Sequence, residues 1–191
     1  MKAKHVLFIG VAALALLVVT PAARARPAAA QLVDQPTGSL VAAVRSATAG
    51  FANAEAAKAA GYELFHGCVS GPLEGAMGIH LVNNDLVGDG ALDPMRPEAV
   101  LYEVQNGQYE ILGVEYVVIA DAWYAHTEGP PLLMGQLFNY VSSPNRFGIP
   151  AFYELHVWAW KDNPNGTFAD WNPTVSCDGY TAPDVAHASG H

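Results

Sequence analysis

"FYELHVWAW", residues 152–160, decides how the rest of the chain is read. It is rich in aromatic and strand-favouring residues, and its short length fits a β-strand. Alternate side chains of a strand share a face. Phe152, Glu154, His156, Trp158 and Trp160 take one face, and Tyr153, Leu155, Val157 and Ala159 take the other. The second face is ordinary core. The first holds two ionisable groups framed by large aromatics, which suits neither a dry core nor a freely solvated surface.

The same pattern recurs upstream. "MGIHLVN" (77–83) reads as a strand with Ile79 and Leu81 on one side and His80 and Val82 on the other. "AVLYEV" and "YEILGVEYVVIA" flank Asn106-Gly107, a strong hairpin signal. In the second of these, Leu112, Val114, Tyr116 and Val118 form an apolar face. Ile111, Gly113, Glu115, Val117 and Ile119 form the other, with Glu115 its lone charge. Three strands thus each carry ionisable groups near their middles: His80, Glu115, and Glu154 with His156.

Cross-strand neighbours lie about 5 Å apart, close enough to share one ion. Two imidazoles and a carboxylate suit zinc, iron, manganese or copper and leave coordination positions open. The expected ligands are His80, Glu115 and His156. Glu154 completes the shell or orients a ligand, and Glu115 doubles as a general base. Phe152, Trp158 and Trp160 form the expected wall of a ligand pocket. The competing reading is a solvated sheet face carrying ordinary Glu–His pairs, each stabilising by about 0.2–1 kcal/mol.

Glu103 depends on one residue of register. A two-residue Asn106-Gly107 turn pairs it with Glu110 and points it away from Glu115. A three-residue loop pairs it with Tyr109 and brings it to the Glu115 face. Glu103 is kept as a further ligand-binding candidate. His66 and His126 lie in irregular stretches from which either could cap the site.

Around the strands, Leu40, Val44, Ala47 and Phe51 recur at helical spacing, and Asn53 is an N-cap for "AEAAKAA", with Gly61 as its stop. The aspartates of "NNDLVGDGALDP" (83–94) lack the EF-hand spacing and read as a polar connector. Residues 121–150, with four prolines, form a connection of the length used for lids and binding loops. Asn165-Gly166-Thr167 matches the N-glycosylation pattern, a weak signal.

Lys2 and Lys4, the apolar run Val6–Val19 and small residues after it read as a signal peptide over 1–25. Ala23-Arg24-Ala25 and Ala28-Ala29-Ala30 both fit a cleavage site, so the mature chain is expected to begin near Arg26 or Gln31. Removing residues 1–25 takes away Lys2, Lys4 and Arg24 and moves the formal charge from −9 to −12. So acidic a chain is not expected to bind nucleic acid or, once the signal is removed, a membrane. Residues 26–38 read as a flexible lead-in, 39–178 as a single domain and 179–191 as a disordered tail. The two cysteines, Cys68 and Cys177, are expected to be bonded in an exported chain. Paired thiolate metal ligands are the alternative.

The combination of "GAMGIHLVN", "LDPMRPEAVLYE", "GVEYVV" and "ELHVWAWKDNPNGTFADWNPTVSC" resembles a group of secreted bacterial hypothetical proteins of unassigned activity. It spans about residues 60–178. The resemblance implies export and supplies no reaction. The chain has no nucleophile elbow, no H-E-x-x-H, no phosphate-binding Gly loop and no heme-attachment motif.

The expected architecture is α+β: two N-terminal helices on one face of an antiparallel sheet of about four or five strands, stapled by Cys68–Cys177. The expected function is an exported protein with a His/Glu pocket for a divalent metal, in a form that also suits a metalloenzyme. The alternative is a secreted module that binds a small molecule in an aromatic-lined pocket without metal. A structural extracellular domain is the third reading. Oligomeric state is left open.

Overall fold

The computed structural model describes residues 37–182. The expected leader lies outside them, as do most of the lead-in and the tail. In chain order the elements are α1 (Thr37–Ala47), α2 (Ala54–Ala59), β1 (Glu63–Gly71), β2 (Gly75–Val82), α3 (Asn84–Gly88), β3 (Ala99–Gln105) and β4 (Gln108–Ile119). There follow α4 (Ala120–Tyr124), β5 (Leu132–Leu133), β6 (Gln136–Leu137), β7 (Asn139–Val141) and β8 (Phe152–Val157). Six strands form one antiparallel sheet in the order β1-β2-β3-β4-β8-β7, and β5 with β6 makes a separate ribbon. The fold is α+β. The sheet exceeds the expected four or five strands because it gains an edge strand on each side. A bulge breaks the two-residue period of β1 between Phe65 and Cys68, and β7 has only three residues, so neither carries a readable alternation.

One sheet face is apolar core. Val114, Tyr116 and Val118 of β4 share a buried cluster with Tyr153, Leu155 and Val157 of β8 and with Leu40 and Val44 of α1. Ile79, Leu81, Val100 and Tyr102 join Ala54 and Ala57 of α2 in a second cluster. A fully buried leucine such as Leu40 contributes about 1.5–3 kcal/mol by leaving water. The short α2 starts where Asn53 accepts the amide of Glu55, and it stops at Gly61, whose φ of 92° suits glycine. The other face holds His80, Glu115 and His156.

The β3–β4 hairpin turns through Asn106 and Gly107 alone, both at positive φ, with Gln105 paired to Gln108 and Glu103 to Glu110. That is the tight turn, yet Glu103 lies on the Glu115 face. The reason is a bulge. Leu101 pairs with Gly113 and Tyr102 with Ile111, leaving Leu112 as an extra residue. One extra residue reverses the alternation of the strand. Ile111 therefore packs with the Tyr102 cluster, and Leu112 packs on the opposite side with Leu101 and Trp158. Both were expected on the reverse faces.

The bulge also shortens β8. The ladder between β4 and β8 ends at Val114–Val157, and the carbonyl of Leu112 then accepts the amides of both Trp160 and Lys161. A Cβ at Gly113 would stand 2.1 Å from the carbonyl oxygen of Val157, so only glycine permits this close crossing. The chain leaves the strand at Trp158, not after Trp160.

The C-terminal segment returns across the sheet. Asn172 exchanges two backbone hydrogen bonds with Ala76, and Cys68 is bonded to Cys177. The ordered fold continues past 178, since Tyr180 packs against the Tyr102 cluster. No helix among the described residues is long and apolar enough to cross a membrane.

Candidate metal centre

β4 and β8 pair Glu115 with His156 and Val117 with Glu154. Partners in a ladder point to the same side, so Glu115, His156 and Glu154 form one patch. His80 reaches it from β2, two strands away. Its ladder neighbours are Leu101 and then Gly113, and Glu115 is flanked by Ala99. The small Ala99, opposite Glu115, leaves room for that diagonal approach. His80 Nε2 stands 3.4 Å from Glu115 Oε2, and the His80 and His156 rings are 5.9 Å apart, nearly perpendicular.

All three groups are buried, with His156 wholly inaccessible. Each offers a ligand atom within 4.8 Å of the others'. His80 Nδ1 and His156 Nε2 have no hydrogen-bond partner, and His156 Nδ1 has only the more distant Asp170 carboxylate at 3.5 Å. A buried polar atom left so costs about 1–3 kcal/mol. These buried groups could hold a metal ion.

A second triad shares His156. Glu154, His156 and Asp170 also offer ligand atoms within 4.8 Å of one another. Asp170 Oδ1 lies 3.5 Å from His156 Nδ1 and accepts the side-chain amide of Asn139 at 3.0 Å. Asp170 was not anticipated from sequence. It sits in a turn-rich stretch without periodicity, held over the sheet by Asn172 and the disulfide. The one signal was the cysteine pair: joining Cys177 to a residue near the first strand folds the intervening segment back across the sheet.

Burial sets the protonation states of the metal-free site. It lowers His80 to about 4, against the pull of Glu115, so this imidazole keeps a free lone pair at neutral pH. His156 is raised to about 9: burial alone would lower it, but Glu115, Asp170 and Glu154 together outweigh that. Glu154 is pushed well above the carboxylate range by burial and by Glu115. Asp170 is lowered, because contact with His156 outweighs its own desolvation.

The aromatic walls differ from the expected set. Trp158 is buried and stacks on His156, with ring centroids 6.3 Å apart. Phe152 lines a cavity beside His80 and Glu115. Trp160 does not belong to this face. Beyond the end of β8 it turns toward α1, donates to Thr48 Oγ1 and lies under the Arg45 guanidinium. Glu103 shares the face but pairs with Lys161 and accepts from Gln105, apart from the triads. His66 does not cap the site; its Nε2 meets the carbonyl of Phe147 at 2.9 Å. His126 is exposed after α4.

Comparison with protein-family models, curated proteins and solved structures finds no match.

Proposed function

We propose that this is an exported metal-binding protein whose ion is held by His80, Glu115 and His156. The observation that carries the reading is the set of buried imidazole nitrogens without hydrogen-bond partners, gathered around a buried carboxylate. Two imidazoles and one carboxylate favour zinc, iron, manganese or copper over calcium or magnesium, which prefer oxygen ligands. Glu115 acts as a ligand, since it lies between both imidazoles. Binding through His156 displaces the proton that this ring carries in the metal-free protein. The Cys68–Cys177 bridge fits an oxidising compartment.

Asp170 fixes the tautomer of His156. A carboxylate at Nδ1 holds the proton there and turns Nε2 toward the ion. Asp170→Asn is expected to weaken metal affinity by about 10–100-fold with little change in unfolding midpoint. Competition titration against a chelator of known affinity reads this, and unchanged affinity would remove Asp170 from the site.

The direct test is elemental analysis of protein recovered outside the cytoplasm and purified without a histidine tag. About one ion per chain is expected, and background in the His80→Ala/His156→Ala variant, with circular dichroism confirming that the variant is folded. Equal metal content in parent and variant would overturn the reading.

A further inference from the structure

A cavity adjoins the triads. It has a volume of about 130 Å³ and touches the metal centre through His80 and Glu115. Phe65, Val117, Ile119, Phe147 and Phe152 supply much of its apolar wall. Apart from His80 and Glu115, the only polar side chain that lines it is the exposed Asn84. No Lys or Arg is among its lining residues.

Its roof is braced. Phe147, Ile149 and Pro150 come from the long connection before β8. Within that loop, Asn145 Nδ2 donates to the carbonyls of Ser142 and Ile149, and Asn145 Oδ1 accepts the amide of Phe147. His66 holds the carbonyl of Phe147 from outside. A roof tied at these points needs little ordering when a ligand enters, and preformed apolar cavities are the usual form of small-molecule sites.

We infer that this chamber is the ligand pocket of the metal centre, selecting a neutral molecule with a compact apolar body, up to about one benzene ring, and a single lone-pair donor. The inference rests on the metal reading for the donor and on the cavity for the body. Its size sets the limit, since an apolar cavity of roughly 150 Å³ accommodates benzene. The lining sets the charge. With the two charges of a divalent ion already matched by Glu115 and Asp170, a carboxylate or phosphate would bring an unbalanced negative charge into an apolar chamber with no Lys or Arg in its wall. The position of His80 and Glu115 in the wall sets the orientation, with the donor toward the ion and the apolar body toward Phe147 and Phe152.

Benzene and pyridine separate the two parts. They have nearly the same shape, and at mildly alkaline pH both are neutral, but only pyridine offers a lone pair. Binding is read by NMR shift titration on metal-free protein and on protein loaded with zinc. The expected result is that both bind metal-free protein with similar affinity. In zinc-loaded protein pyridine gains about tenfold or more over benzene. Ile119→Trp fills the chamber without touching a ligand, and is expected to abolish binding of both probes while zinc content stays that of the parent.

Absence of benzene binding to folded metal-free protein overturns the inference. So does pyridine that gains nothing in zinc-loaded protein, or that binds the Ile119→Trp variant as well as the parent. Failure of the metal reading looks different: zinc content at background, with benzene still bound.

Discussion

Raising the pH from about 5 to about 9 is expected to destabilise the metal-free protein, and Glu98→Gln is expected to remove its own share of that loss. Glu98 is 2 % exposed. Its Oε2 accepts the amide of Val117 at 3.0 Å. The place explains the contact: β3 begins at Ala99, opposite Glu115, so the amide of Val117 faces no strand residue and the Glu98 side chain satisfies it. Burial raises Glu98 to about 8, despite that hydrogen bond, with Asp89 and Glu115 pushing the same way. The hydroxyl-bearing neighbours Tyr62 and Tyr116 are themselves pushed up by burial and by Glu98.

A carboxyl raised on folding binds more protons in the native state than in the unfolded one. Stability is therefore fullest below the ordinary value of 4.5 and falls as pH rises through about 8. At about 1.4 kcal/mol per pKa unit, the loss from this residue is on the order of 4 kcal/mol. Glu154 and His156, both raised on folding, add loss in the same direction up to about 9, while His80 opposes it between about 4 and 6.5. Urea unfolding with chelator present, in parent and Glu98→Gln, measures the difference at each pH. The stability gap should shift in favour of the variant as pH rises. Parallel pH profiles would mean that Glu98 titrates alike in the folded and unfolded chain.

Cys68→Ala/Cys177→Ala is the second large expected effect. The bridge spans a sequence separation of 109 residues, with Cα atoms 5.8 Å apart. Constraining so long a loop in the unfolded chain stabilises by up to about 4–5 kcal/mol in the chain-entropy picture. The bridge also ties down the segment that carries Asp170, otherwise held by Asn172 against Ala76 and by the Trp158 indole donating to the carbonyl of Ala169. The variant is therefore expected to lose stability and also, in whatever remains folded, at least about tenfold in metal affinity, as when the partner of a ligating histidine is removed. Denaturant unfolding and chelator competition measure the two losses. A less stable variant that binds metal as tightly as the parent would show that the segment stays docked without its covalent tie.

The convergence of His80, Glu115 and His156 was legible because each strand carries its ionisable groups, His80, Glu115, and Glu154 with His156, on one face opposite an apolar one. A period of two then fixes which side each group takes. The bulge at Leu112 was not legible. Ile111 and Leu112 are both apolar, so an extra residue there leaves no mark on the pattern, yet it decides the side of Glu103. Trp160 continues the alternation of β8 on paper, but the ladder ends with the close crossing at Gly113 and the chain bends away. Asp170 and Phe147 reach the site through docked loops, whose position follows from tertiary contacts and not from local period. Phe65 lies just before the bulge of β1, where the alternation that would have placed it breaks down. The Cys68–Cys177 pairing was readable from a count of two.

The residues that surround His156 come from β2, β4, β8 and the segment beyond it, so the centre is assembled from parts far apart in sequence. No single strand holds all three of His80, Glu115 and His156. A chain with β2 slipped by one residue would turn His80 into the apolar face, and one with the last segment undocked would leave His156 without Asp170. The centre thus behaves as a checksum on the topology. On the metal reading proposed above, uptake of the ion would report that β2, β4 and β8 have found their register and that the segment carrying Asp170 has closed over the sheet.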